Sequence, residues 1–138
     1  MARSDRTRRA MKSDARAYLA KAEQFLAGME AELAEERWDA AGLAAIHAGI
    51  SAGDAVLGYH GGVRSIAQDH RATVDLLKRT MGSAADGAAK HLKRLIDKKN
   101  LVEYEQRRLT ASEAADLAEQ ARRFLGWARE QLPRTTSG

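Results

Sequence analysis

Apolar residues recur along this chain at intervals of three and four, the period of an amphipathic helix, and no segment has the composition of a strand. Over 13–36, Tyr18, Ala22, Phe25, Met29 and Leu33 follow that period, with Leu19 and Leu26 beside them and charges opposite, which predicts a first helix. The stretch 39–59 is alanine-rich, with Leu43, Ile46, Ile50 and Leu57 turned one way. Its small residues allow close helix approach, so it is expected to be the central and most buried helix, stopped by Gly61 and Gly62. Asp69 would cap a third helix that ends near Met81 and Gly82. A fourth, over 85–99, sets Ala88, Leu92, Leu95 and Ile96 on one side and Lys90, Lys93, Arg94 and Lys98 on others. The run LVEYEQRRL breaks the period and reads as a linker. Thr110 with Glu113 three residues on is a capping box, flanked by Leu109 and Ala114 at staple positions. The last helix then follows Leu117, Ala121, Phe124, Ala128 and Leu132 to Pro133.

These elements predict an all-α fold, an up-and-down antiparallel helical bundle of four to five helices without strands. The expected organisation is a flexible basic arm over 1–12, one domain over 13–133 and a disordered tail over 134–138. With 138 residues, 44% of them hydrophobic, there is enough chain for one core and too little for two. The absence of cysteine excludes disulfides, thiolate zinc sites and cysteine nucleophiles. The uncharged run 40–53 is too short and too rich in glycine and alanine for a membrane span, and the basic start lacks the apolar middle of a secretory signal. A cytoplasmic protein is the expectation. The net charge of +4 is zoned: 1–12 carries +4, 13–68 carries −4, 69–108 carries +4, and the remainder is neutral. Such zoning suits an RNA backbone on the basic side, and equally a self-complementary dimer.

Three groups of residues invite chemistry. On the second helix His47, Ser51 and Asp54 share one face, either as a satisfied buried network or as the lining of a polar pocket. In Arg64-Ser-Ile-Ala-Gln-Asp69-His70, a histidine is spaced to move a proton from a ribose hydroxyl while an arginine holds the phosphate, the outline of metal-independent RNA cleavage. An arginine in such a loop is more often simply solvated. Lys98, Lys99, Asn100 and Tyr104 close the fourth helix and begin the linker. Lysines suit a helix C-terminus, and Asn100 suits a left-handed cap. Tyr104 either packs into the bundle with its hydroxyl bonded, the commoner outcome, or presents its ring for base stacking. There is no Glu-x-x-His pair and no phosphate-binding glycine loop, and His60 and His91 have no partners at ligand spacing. Neither a metal nor a cofactor is expected.

The order of features resembles one family. The pattern Ala-Ala-x-x-Ala-Ile-His-Ala-Gly-Ile-Ser, then Asp69-His70 before a helix, then Lys99-Asn100-x-x-Glu-Tyr104, then Leu-Thr-Ala-Ser-Glu opening a final helix, is similar to HEPN-domain proteins, in particular a small actinobacterial branch. The resemblance spans about residues 14–132. It implies a dimerising helical bundle in a superfamily rich in ribonucleases, toxin components and RNA-binding modules, some paired with nucleotidyltransferase-like antitoxins. Arg64, Ser65 and His70 match the letters of the family's catalytic motif. Three readings follow: an RNA-associated module contacting RNA or a nucleotide through Lys98, Lys99, Arg107 and Arg108, a metal-independent endoribonuclease using Arg64 and His70, and a protein-binding adaptor with candidate contacts at Trp38, Trp127 and Phe124, of which Phe124 is the one expected to be buried in the monomer.

Overall fold

The computed structural model describes residues 7–9, 14–65 and 70–133. It is an all-α bundle of α1 (Asp14–Ala34), α2 (Trp38–Gly61), α3 (Arg71–Met81), α4 (Asp86–Asp97), α5 (Lys99–Tyr104) and α6 (Ala111–Glu130), with a 3-10 turn at Gly82–Ala85. One feature departs from the strandless expectation. Backbone pairing joins β1 (Thr7–Arg9), inside the segment read as an arm, antiparallel to β2 (Val63–Ser65), with Arg8 opposite Arg64. The tail 134–138 lies outside the described residues.

Helix α2 is the centre. All of 48–58 is buried, so this helix has no solvent face along three turns, because α1, α3, α4 and α6 surround it. Gly62, left-handed at φ 66°, ends it as expected. Gly42 and Gly49 admit leucines from neighbouring elements almost to the α2 backbone. A Cβ at Gly49 would lie 2.6 Å from Leu95 Cδ1, and one at Gly42 would overlap Leu109 Cδ1. The fully buried Phe124, Leu117 and Leu125 of α6, Leu92 and Leu95 of α4, and Met29 of α1 complete the core around Ile46 and Leu57.

Polar contacts fix the helix directions. Asp39 at the start of α2 accepts the Leu109 backbone N–H at 2.8 Å, and His60 at its end lies 2.6 Å from the Gln131 carbonyl, so α2 and α6 run parallel. Glu23 pairs with Arg129 and Glu30 with Arg122, so α1 runs against α6. His91 Nδ1 meets Gln120 Oε1 at 2.6 Å while Lys98 reaches Glu113, so α4 also opposes α6. The four long helices therefore alternate in direction along the chain.

Several boundaries move. The apolar seam of α1 is Ala15, Leu19, Ala22, Leu26, Met29 and Leu33, a four-three alternation that leaves Tyr18 and Phe25 half-buried at its edge. The last turn of α1 is a Schellman motif, with Arg37 N–H on Glu32 O and Glu36 N–H on Leu33 O, and its left-handed position (φ 59°) holds Glu36 where glycine is usual. The capping box at Thr110 and Glu113 forms as expected, and α6 stops at Glu130, short of Pro133. The expected linker is helical over its first part, since Lys99–Tyr104 forms α5.

Candidate functional site

The short helix α5 packs on the first half of α2 and sets its charged residues beside His47. Val102 faces Gly42, so the small residue that allows close packing also brings α5 down onto α2. One helical turn then separates Lys99 from Glu103, whose Nζ and Oε1 atoms are 3.0 Å apart. Both side chains are about one-fifth exposed, and Glu103 Oε1 itself is fully buried without a well-directed hydrogen bond, so the contact is an ion pair in a sheltered setting. The Lys99 contact, against an opposing effect of burial, holds the Glu103 carboxyl below its usual range, with smaller help from the Tyr104 hydroxyl.

His47 is half-buried and stacks on Phe25 of α1, with ring centroids 5.3 Å apart and planes inclined by 29°. Burial lowers its pKa. Glu103 opposes that shift, and Lys99 and Lys21 add to it. The imidazole is therefore neutral at pH 7 and offers one nitrogen as an acceptor. Ser51 and Asp54, one and two turns further along α2, are both 8% exposed and belong to the buried length of the helix. The stripe is thus divided, its His47 end reaching a charged, sheltered edge and its Ser51–Asp54 end lying within the bundle.

Tyr104 corrects the packing expectation. It is 73% exposed, the one large apolar side chain so exposed among the described residues, and Lys99 Nζ sits 5.8 Å from its ring centroid. The six residues of α5 end with Tyr104 on the outer face, because Val102 and Leu101 take the inward positions. Asn100 is not a left-handed cap. It is an exposed residue in the first turn of α5, and Glu36 is the one non-glycine with positive φ among the described residues.

The expected row of phosphate-binding cations is split by ion pairing. Lys98 lies 3.4 Å from Glu113, and Arg107 grips the same carboxylate through two nitrogens at 3.0 and 2.9 Å. Arg107 first, then the Thr110 backbone N–H, hold Glu113 far below the usual carboxylate range. Arg108 forms no ion pair among the described residues.

Arg64 and His70 stand on either side of the connection from β2 to α3. Arg64 is placed by its backbone in β2, Asp69 lies outside the described residues, and His70 is partly buried directly before Arg71. His70, in helical conformation, occupies the cap position of α3 without a side-chain cap bond. The two histidines that lacked partners in sequence have them in space: His60 at the Gln131 carbonyl and His91 at Gln120, whose amide in turn donates to Asp116 at 3.2 Å. Among the described residues no group of histidines, cysteines and carboxylates is arranged to hold a metal. Of the described helices α2 alone has the length and apolarity of a membrane span, and 78% of that window is buried by its neighbours.

Sequence reasoning missed Phe25, Lys21 and Glu103 as companions of His47. Glu103 had a local signal, its i+4 spacing from Lys99, whereas Phe25 was absorbed into the core stripe. No family model matches this sequence, and no curated protein is significantly similar to it.

Proposed function

We propose that this chain is a HEPN-like, RNA-associated module that acts in the cytoplasm as a homodimer. The order of helices and motifs along the chain supports the family, and one observation carries the RNA reading: the exposed Tyr104 ring beside Lys99, at the edge of the neutral His47. A base stacks on such a ring whatever its identity, typically for about 1–3 kcal/mol. Lys99 supplies positive charge for an adjoining phosphate. The resemblance extends the proposal to a toxin–antitoxin or RNA-defence setting, with a nucleotidyltransferase-like protein as cognate partner. The endoribonuclease reading places His70 as proton carrier and Arg64 on the phosphate.

The test is a binding titration of labelled single-stranded RNA at two salt concentrations, with wild type and Tyr104→Ala, and the same RNA incubated in excess EDTA with wild type and His70→Ala. Salt-sensitive binding that weakens in Tyr104→Ala, with RNA left intact, is the expected result. Cleavage in EDTA that disappears in His70→Ala would make the chain a ribonuclease. Neither binding nor cleavage would sink the RNA reading and leave a protein-binding adaptor.

A further inference from the structure

At the end of the bundle where α1 turns into α2, an open cleft of about 400 Å³ is lined by Glu36, Arg37, Trp38, Asp39, Arg108 and Leu109 among others. Its volume is at the lower end of the range for small-ligand sites. Leu109 is buried beneath it, and Trp38 is half-buried with part of its surface against the core. Asp39 is committed to the Leu109 N–H and Arg37 to Glu32, 3.0 Å away. Two opposite charges remain. Glu36 and Arg108 line the same cleft, are exposed, and form an ion pair neither with each other nor with any other group among the described residues. The neighbouring Arg107, Lys98, Glu113 and Glu32 are all paired, so the omission is local to the cleft.

Glu36 carries a second peculiarity. It holds the left-handed position of the Schellman turn, at φ 59°, where any side chain strains the backbone and glycine does not. A strained residue lining a cleft is a pointer to use of its side chain. An indole surface, a carboxylate and a guanidinium around a nucleotide-sized space are complementary to a flat base with two adjacent N–H donors that carries an anionic group. Guanine has those donors at N1 and its exocyclic amine, whereas adenine presents a lone pair at N1.

We propose that this cleft binds a guanine nucleotide, with the base on Trp38, its N1–H and amino group donating to Glu36, and the phosphate held by Arg108. The site is separate from Tyr104 and does not rest on the proposed function. Calorimetric titration of the full chain with 5′-GMP, 5′-AMP and inorganic phosphate tests it. GMP is expected to bind saturably and AMP roughly tenfold more weakly or worse, as for other paired base-edge contacts. Phosphate alone is expected to be weaker than both. Glu36→Gln should remove most of the preference for GMP, and Arg108→Gln should weaken both nucleotides alike. Both residues are exposed, and melting curves check that the variants fold. Tyr104→Ala should leave the GMP titration unchanged, so failure here and failure of the RNA reading are distinguishable. A chain that binds GMP no better than AMP, or whose GMP affinity survives both substitutions, overturns the assignment.

Discussion

The flank of α2 that meets α4 and α6 and the edge that meets α5 are built in opposite ways. On the first, glycines receive leucines, and Phe124 and Leu92 lie beside Gly53. On the second, a histidine, a lysine and a glutamate share a half-sheltered margin that ends in an exposed tyrosine. The first flank obtains stability from close packing and the second keeps polar chemistry near solvent. One helix serves both because the residues that differ are only one or two turns apart.

Substitutions on the dry flank should have the largest effects. Phe124→Ala removes a fully buried ring and is expected to cost about 3–5 kcal/mol in urea unfolding. Gly49→Val forces branched methyls against Leu95 and Leu92 and should cost about 1–3 kcal/mol, read as a lower unfolding midpoint at unchanged slope. A stabilised Gly49→Val would show that this flank is loosely packed and break the contrast. Thr73→Val sharpens it from the other side. The Thr73 hydroxyl is completely buried and has no hydrogen-bond partner among the described residues, so an isosteric methyl should raise stability by about 1 kcal/mol.

On the α5 edge the effects turn on charge. Because burial lowers the His47 pKa below 6.5, the unfolded chain takes up its proton first as pH falls. The stabilising contribution of the neutral histidine is therefore fully present above about pH 6.5 and is lost as pH falls toward and through its folded value. His47→Gln should flatten that part of the melting-temperature profile. It should leave the later acid loss from Glu103 and Glu113, which begins below pH 4.5, in place. Tyr104→Ala is the smallest expected change, within about 0.5 kcal/mol by unfolding, since its ring is exposed. A large destabilisation by Tyr104→Ala would mean that the ring is structural and would remove the contrast between the two regions.

What the sequence revealed follows from where its information lies. Periodicity over twenty residues located α1, α2 and α6, and Gly62 and the Thr110–Glu113 box marked ends because capping chemistry is local. Helix α5 escaped because six residues hold less than two turns of any period. The predicted α1 stripe shares Ala22, Met29 and Leu33 with the true seam and differs in taking Tyr18 and Phe25 where Leu19 and Leu26 pack inward. Phe25 and Ala22 both fit a helical period, and only the approach of α2 decides that Ala22 is buried and Phe25 is left to meet His47. The surroundings of His47 come from three helices, and the cleft from the turn at Glu36 together with Arg108, far along the chain, so neither had a pattern to read in sequence.

The ties between helices converge on α6. Asp39 and His60 fasten both ends of α2 to its two ends, Glu23 and Glu30 fix α1 against it, and His91 fixes α4. In the order of synthesis α6 is the last of these helices to leave the ribosome. Until it does, α1, α2 and α4 have emerged without the ties that α6 provides, and the leucines of α4 lack the α6 surface that covers them. Folding units are generally completed in the order in which their partners emerge. The bundle therefore closes only once α6 has emerged, and a chain lacking the residues from Ala111 onward leaves the surfaces of α2 and α4 that α6 covers without their partner.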